Sequence, residues 1–475
     1  MPNQETPPLL QYFTLRGVHG YKDITVQFAG AATVIVAENG TGKTTVLSAL
    51  NAFLTRRFHR LAALPFSALE CKFLAREDAI RMTREDFGSA AGAGLESVKA
   101  LAKSAELPEE ALLDFLQNEY IPANFDRLLQ TPVISQLYLT IPGDYQEIKR
   151  ALDEAHALLN SSLSERAKEI ASDLRGLIGR ADVVFLPTYR RIERPLLRSS
   201  RKREAIRTNW YAPTREKNDY SYEGIAFGLS DIEARLGELS EEIERTSNFG
   251  YRGLSARILN DMLKGQSFQL PLGIDALPDI GSLSLFLGRL GRVENNLGQI
   301  FENIETLYDS GEIHSKDFEF LRYFLSRLNS VIDQTKTTEQ RIEQFVTVCN
   351  SYLTMSSDEK RLAFDPRTLK VVVENSWANC IVPLDALSSG EKQIVSLMAK
   401  LYLYKGSKVV LIDEPELSLS IDWQRKVLPD VMASGSVTQM LAITHSPFIF
   451  ENELDQFTVG LRMERTGENV DGFAS

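Results

Sequence analysis

The sequence predicts an α/β fold with a parallel core sheet, interrupted by a mostly helical inserted lobe. Three stretches carry that prediction. The first is the β-branched run Thr33-Val34-Ile35-Val36, read as a strand, which leads through Ala37-Glu38-Asn39-Gly40-Thr41-Gly42-Lys43-Thr44-Thr45 into an amphipathic helical run, Val46 to Leu54. The second is the apolar strand Val409-Val410-Leu411-Ile412, ending in Asp413-Glu414-Pro415. The third is Leu387-Ser388-Ser389-Gly390-Glu391-Lys392-Gln393, which opens a helix just ahead of that strand.

A strand, a glycine-bearing loop and a helix in that order make a phosphate cradle. The glycines let backbone N–H groups point at an anion, and the helix presents its positive dipole end. Lys43 is placed to reach the β- and γ-phosphates of a nucleotide, and the Thr44 hydroxyl to hold Mg²⁺. Asp413, at the carboxyl end of a buried strand, supplies a carboxylate to the same metal, and Glu414 next to it is placed to polarise an attacking water. Taken singly, a phosphate-loop pattern arises by chance and an acidic strand end is often only solvated. A lone histidine such as His445, in Ile443-Thr444-His445-Ser446-Pro447, is more often structural. Four such elements in the right order outweigh those plain alternatives.

These motifs resemble those of the ABC-type ATPases, within them the SMC, Rad50 and overcoming-lysogenization-defect (OLD) branch. The resemblance implies an ABC-type (RecA-like) ATPase head with a mixed sheet, plus a mostly helical inserted lobe, using ATP and Mg²⁺. In that class the stretch matching Ser388, Ser389, Gly390 and Glu391 caps the γ-phosphate held by a neighbouring chain, and the histidine matching His445 contacts the γ-phosphate. The implied site is therefore Asn39, Gly40, Thr41, Gly42, Lys43, Thr44 and Thr45 for the nucleotide, Thr44 and Asp413 for the metal, and Glu414 and His445 for catalysis. Three departures stand out. Ser389 and Ala37 replace glycines of the pattern, and Ser420 takes the place of the aspartate that crosses to the opposite signature, which leaves the hydrogen bonds there open. No glutamine lies in Val183 to Arg191, so the family's glutamine-bearing loop is not carried over.

Composition narrows the setting. The chain has 475 residues, 43% of them hydrophobic, enough for more than one core. Cys71, Cys349 and Cys380 lie far apart and read as buried thiols in a reducing cytoplasm. The first residues lack a leader pattern and no apolar run approaches a membrane span, so a cytoplasmic protein without membrane contact is expected. A net charge of -11 makes the whole molecule a poor binder of polyanions, and nucleic-acid contact is left open only locally. The local exception is Arg190 to Arg207, where Arg190, Arg191, Arg194, Arg198, Arg201, Lys202, Arg203 and Arg207 face only Glu193 and Glu204. It reads equally as a solvated loop or as a docking surface for an acidic partner.

Along the chain, residues 9–60 read as the first part of the head and 61–180 as a helical insertion. Residues 181–195 add a core strand, 196–360 hold the basic segment and a helical lobe, and 361–475 return to the head. Glycines at 281, 288, 291 and 311 are expected to keep the lobe's helices short. About 345 residues separate Lys43 from Ser388 without sustained heptads, which argues against a long coiled-coil arm. The roughly 30 residues after His445 are too few for a TOPRIM nuclease, since domains rarely fall below about 50 residues, so any nuclease partner is expected to be another chain.

In this arrangement the chain most resembles the ATPase subunits of PARIS anti-phage defence systems. That implies a homo-oligomer, at least a dimer with sites shared between chains, a separate effector nuclease and a phage-encoded trigger protein. A RecF/SMC-like DNA-repair ATPase clamping DNA is the alternative, and the acidic total disfavours it. A non-hydrolysing scaffold is a third, and intact Lys43, Asp413 and Glu414 speak against it.

Overall fold

The computed structural model describes residues 8–38, 40–87, 93–116, 120, 128, 131–140, 145–161, 163–187, 229–264, 277–290, 297–355 and 359–465. In chain order the elements begin β1 (Leu10–Val18), β2 (Lys22–Gln27), β3 (Ala32–Val36), α1 (Lys43–Leu54), α2 (Phe58–Ala63), β4 (Ala68–Phe73) and β5 (Ile80–Thr83). Helices α3 (Ala93–Ser104), α4 (Glu109–Asp114), α5 (Pro132–Thr140), α6 (Tyr145–Ser161) and α7 (Glu165–Ile178) lead to β6 (Asp182–Leu186). Then come α8 (Leu229–Leu263), α9 (Ile280–Leu290), α10 (Leu297–Asp309), α11 (Glu319–Leu353), β7 (Lys360–Asp365), β8 (Lys370–Asn375), β9 (Cys380–Val382) and α12 (Ser389–Tyr402). The last are β10 (Lys408–Asp413), α13 (Ile421–Ala433), β11 (Val437–Thr444), β12 (Thr458–Gly460) and β13 (Arg462–Arg465). They fall into two compact units, Met1–Phe227 with Tyr404–Ser475, and Gly228–Leu403.

The first unit holds two sheets. Strand β1 alternates inward Phe13 and Leu15 with outward Tyr12 and Arg16, and centres an antiparallel sheet of order β13-β2-β1-β4-β5. The apolar β-branched strands β3, β10 and β11 are buried on both faces, as parallel strands must be, in a sheet of order β12-β3-β11-β10-β6. The α/β head predicted from the sequence is thus present, its strands divided between an antiparallel and a parallel sheet. Phe13 and Ile24 of the first sheet, Leu50 and Phe53 of α1, and Leu411 and Ile443 of the second share one core. The two sheets are also stitched by one fully buried amide. Gln439 on β11 accepts from the Leu10 N–H at 2.8 Å and donates to the Leu10 carbonyl at 2.9 Å, so this buried amide and the Leu10 backbone satisfy one another.

Residues 63–180 are less uniformly helical than their sequence suggests. Ala68-Leu69-Glu70-Cys71-Lys72-Phe73 alternates inward and outward side chains and pairs with β1, while β5 pairs with β4. Among the described residues, the stretch from α3 to α6 forms a helical lobe with its own core around Leu112, Phe115, Leu137 and Leu152.

The second unit corrects the expectation of short helices. α8 and α11 each run 35 residues, about 50 Å at 1.5 Å per residue. They pack antiparallel: Tyr323 on α11 donates to Asp261 near the end of α8 at 2.9 Å, whereas Gly250 lies against Val331. A Cβ at position 250 would collide with the Val331 side chain, so the glycine there admits the close approach instead of ending the helix. Leu254, Ile258, Leu328 and Ile332 fill the interface. β8 pairs antiparallel with both β7 and β9, a three-stranded sheet. Residues 361–403, read with the head from sequence, cluster with this unit, because β7 and α12 pack on α11.

Cys71 and Cys349 are buried as expected, but Cys380 is exposed, since it opens the three-residue edge strand β9. Among the described residues no helix is long and apolar enough to cross a membrane. Asn39 and the basic segment 190–207 lie outside the described residues.

Candidate functional site

Parallel pairing sets the site. Strands β3, β11 and β10 are neighbours, and their carboxyl ends carry, respectively, the loop to Lys43, His445, and Asp413 with Glu414. Gly40 and Gly42 sit at φ 80° and 96°, and a Cβ at Gly42 would meet Ile24 Cδ1 at 2.7 Å. Only glycine gives the backbone that turn so close to β2. Gly42, which has no side chain, caps α1 without a side-chain hydrogen bond of its own.

Lys43 opens α1, and its side chain is only 6% exposed. Its Nζ donates to the Ala37 carbonyl at 3.3 Å, stands 3.9 Å from Glu414 Oε1, and touches His445 Nε2. Burial pulls the Lys43 ammonium below its ordinary range, against the opposing pull of Glu414, Asp413 and Glu416. Thr44, one residue on, donates its hydroxyl to Asp413 Oδ2 at 2.9 Å. His445 Nε2 lies 3.8 Å from Glu414 Oε1. Glu414 itself holds a left-handed backbone at φ 51°, rare for a non-glycine residue, with its N–H fixed to the Ile443 carbonyl at 2.9 Å. Nearby, Thr41 turns its hydroxyl onto the Glu38 carbonyl at 2.8 Å.

The structure therefore brings Lys43, Thr44, Asp413, Glu414 and His445 into one cluster. Thr44 and Asp413 present oxygen donors side by side, the chemistry a hard cation such as Mg²⁺ takes, and Mg²⁺ needs few protein ligands when phosphate supplies others. Among the described residues no group of three or more His, Cys, Asp or Glu is arranged to hold a metal by itself.

Ser388 to Glu391 belong to the second unit. Ser388 is the N-cap of α12 in a capping box: its Oγ accepts from the Glu391 N–H at 3.3 Å, and its own N–H donates to Glu391 Oε2 at 2.6 Å. An accepting hydroxyl keeps its hydrogen to donate outward, and Ser388 and Ser389 are exposed. Glu391, by contrast, is buried and paired with Lys360 at 3.2 Å, so its carboxylate holds the helix start in place. The far end of α12 is held too, since buried Arg235 donates twice to the Leu403 carbonyl at 3.2 Å. Ser420 is the exposed N-cap residue of α13.

Four residues of these arrangements carried no signal in the sequence. They are Lys360 and Arg235, Lys22, whose Nζ donates to the Gly40 carbonyl at 3.3 Å, and Glu416. Each acts through what the tertiary fold sets against it.

Residues 13–86 match a family model described as an AAA domain. Residues 379–451 match one described as "AAA domain, putative AbiEii toxin, Type IV TA system". The first matched stretch holds Lys43 and Thr44, and the second holds Asp413, Glu414 and His445. No curated protein matches it. Solved structures similar to it include the SmcHead bound to the C-winged helix domain of ScpA, at 12% identity and TM-score 0.35, covering 97% of this chain and 98% of the other. Another is an Smc head domain with an extended coiled coil, bound to the C-terminal domain of ScpA, derived from Pyrococcus furiosus, at 12% identity and TM-score 0.35, covering 97% and 96%.

Proposed function

We propose that this chain is an ATP-binding and ATP-hydrolysing switch in an anti-phage defence system, controlling a separate TOPRIM-type effector nuclease in response to a phage protein. The observation that carries the ATPase part is the cluster at the carboxyl edge of the parallel sheet. A buried lysine, a hydroxyl–carboxylate pair and a glutamate beside a histidine follow a glycine-turned helix start. In this reading Lys43 binds the β- and γ-phosphates, and Thr44 and Asp413 hold Mg²⁺. Mg²⁺, when bound, neutralises phosphate charge and fixes phosphate geometry. Glu414 orients the attacking water and accepts its proton, and His445 contacts the γ-phosphate side of the site. Ser388 and its neighbours, exposed at the start of α12, serve the site of another copy. The description of the family model over 379–451 names a toxin of a toxin–antitoxin system, and that supports a place in defence.

The test is Mg²⁺-dependent ATP hydrolysis by the purified chain, with Lys43→Ala and Glu414→Gln. Lys43→Ala should abolish nucleotide binding. Glu414→Gln should retain bound ATP and lower turnover about 100-fold or more, because the amide cannot take up the water's proton. Unchanged ATP affinity in the first, or parental turnover in the second, would overturn the site assignment.

A further inference from the structure

We propose that Glu416 is a positioning residue for His445, fastening the histidine loop to the loop that carries Glu414. This rests on the reading of the cluster as an ATPase site. Both carboxylate oxygens of Glu416 are committed to the end of β11: Oε2 accepts from the Thr444 hydroxyl at 2.8 Å and Oε1 from the His445 backbone N–H at 2.8 Å. The same hinge is held a second time by Gln424 on α13, whose Oε1 accepts from the Ser446 hydroxyl at 2.6 Å and whose Nε2 donates to the Leu419 carbonyl at 3.0 Å. Ser446 N–H closes the turn onto Thr444 Oγ1 at 2.9 Å.

His445 is exposed at the end of a buried strand, and a free loop there would let its imidazole sample many positions. Fixing its backbone nitrogen fixes the start of the side chain, which then reaches Lys43 and stands 3.8 Å from Glu414. A charged hydrogen-bond acceptor with two oxygens suits this task, since it takes two donors from adjacent residues at once. Glu416 also sits between two strained positions, Glu414 at φ 51° and Ser418 at φ 64°, and strain of that kind persists only where surrounding contacts hold it. Burial raises the Glu416 carboxyl above its ordinary range, partly offset by the hydrogen bonds it accepts, as for a group retained at some cost. Nothing in the chemistry of ATP requires Glu416 itself to touch the nucleotide.

The experiment compares the full chain with Glu416→Ala, Glu416→Gln, His445→Ala and the Glu416→Ala/His445→Ala double variant. Two readouts are taken: steady-state kcat and KM for Mg²⁺-ATP, and the imidazole NMR signal of His445, assigned by its loss in His445→Ala. Glu416→Ala should lower kcat about tenfold or more with KM within about threefold, and the double variant should be no slower than His445→Ala alone. Glu416→Gln, which keeps an acceptor for the His445 N–H, should recover most of the rate. The His445 signal should shift in Glu416→Ala and stay near the parental position in Glu416→Gln. Parental kcat in Glu416→Ala, additive losses in the double variant, or an unshifted His445 signal would each overturn the proposal. Should the parent hydrolyse no ATP, the proposed function fails, and the NMR signal alone decides the clamp: a shift supports it and an unmoved signal overturns it.

Discussion

Tyr12 and Glu70 tie β1 to β4 through a hydrogen bond of 2.6 Å from the tyrosine hydroxyl to Glu70 Oε1, with Arg16 on the other oxygen at 3.2 Å. The Tyr12 bond, helped by Arg16 and opposed by burial, holds the Glu70 carboxyl below its ordinary range. The same bond pushes the Tyr12 hydroxyl up to about 12. A depressed carboxyl gives stability that is present above its unfolded value and lost as pH falls through its folded value. A raised phenol gives stability present below its unfolded value and lost as pH rises towards about 12. Glu70→Gln should therefore lower stability by about 1 kcal/mol at pH 7, and the gap to the parent should close in acid, by urea unfolding at both pH values. A gap independent of pH would show that the charge on Glu70 contributes nothing. At the same scale, Lys43, Thr44, Asp413, Glu414 and His445 were legible because each sits next to a recognisable strand or turn. The roles of Glu416 and Lys360 were not, since each comes only from what folds against the side chain.

Single elements show where local pattern and tertiary packing part. The apolar run Val409 to Ile412 and the β-branched Thr33 to Val36 were readable as buried strands because parallel strands are apolar throughout. The strand Ala68–Phe73 was missed, as its outward Glu70 and Lys72 match a helix surface as well as a strand's wet face. The 35-residue length of α8 runs against the expectation of short helices. It holds Gly237, Gly250 and Gly253, each costing a helix about 1 kcal/mol against alanine, a penalty that packing on α11 outweighs. Gly250→Ala should accordingly destabilise the α8–α11 pair, by roughly 1–3 kcal/mol, because the overlap with Val331 exceeds the gain in helix propensity. Higher stability on urea unfolding would mean that the helices separate freely. Gln439→Leu should cost about 1–3 kcal/mol or more by stranding the Leu10 N–H and carbonyl at the seam between the sheets. A variant as stable as the parent would show that the seam holds without this amide.

At the scale of the whole molecule, the proposed function calls for two copies of the chain. The cluster at Lys43 lies in the first unit, whereas Ser388 stands at an exposed, rigidly capped helix start in the second, held by Glu391 and Lys360 at one end of α12 and Arg235 at the other. In the proposed function, that hydroxyl and the dipole-aligned N–H groups meet a phosphate oxygen of another copy. The most direct measurement mixes two inactive variants, Lys43→Ala and Ser388→Arg, and follows Mg²⁺-ATP hydrolysis. Each mixed dimer should regain about one working site, a parental cradle facing a parental signature, so activity should return on mixing. If mixed dimers form and no activity returns, the site is complete within one chain and the account is wrong.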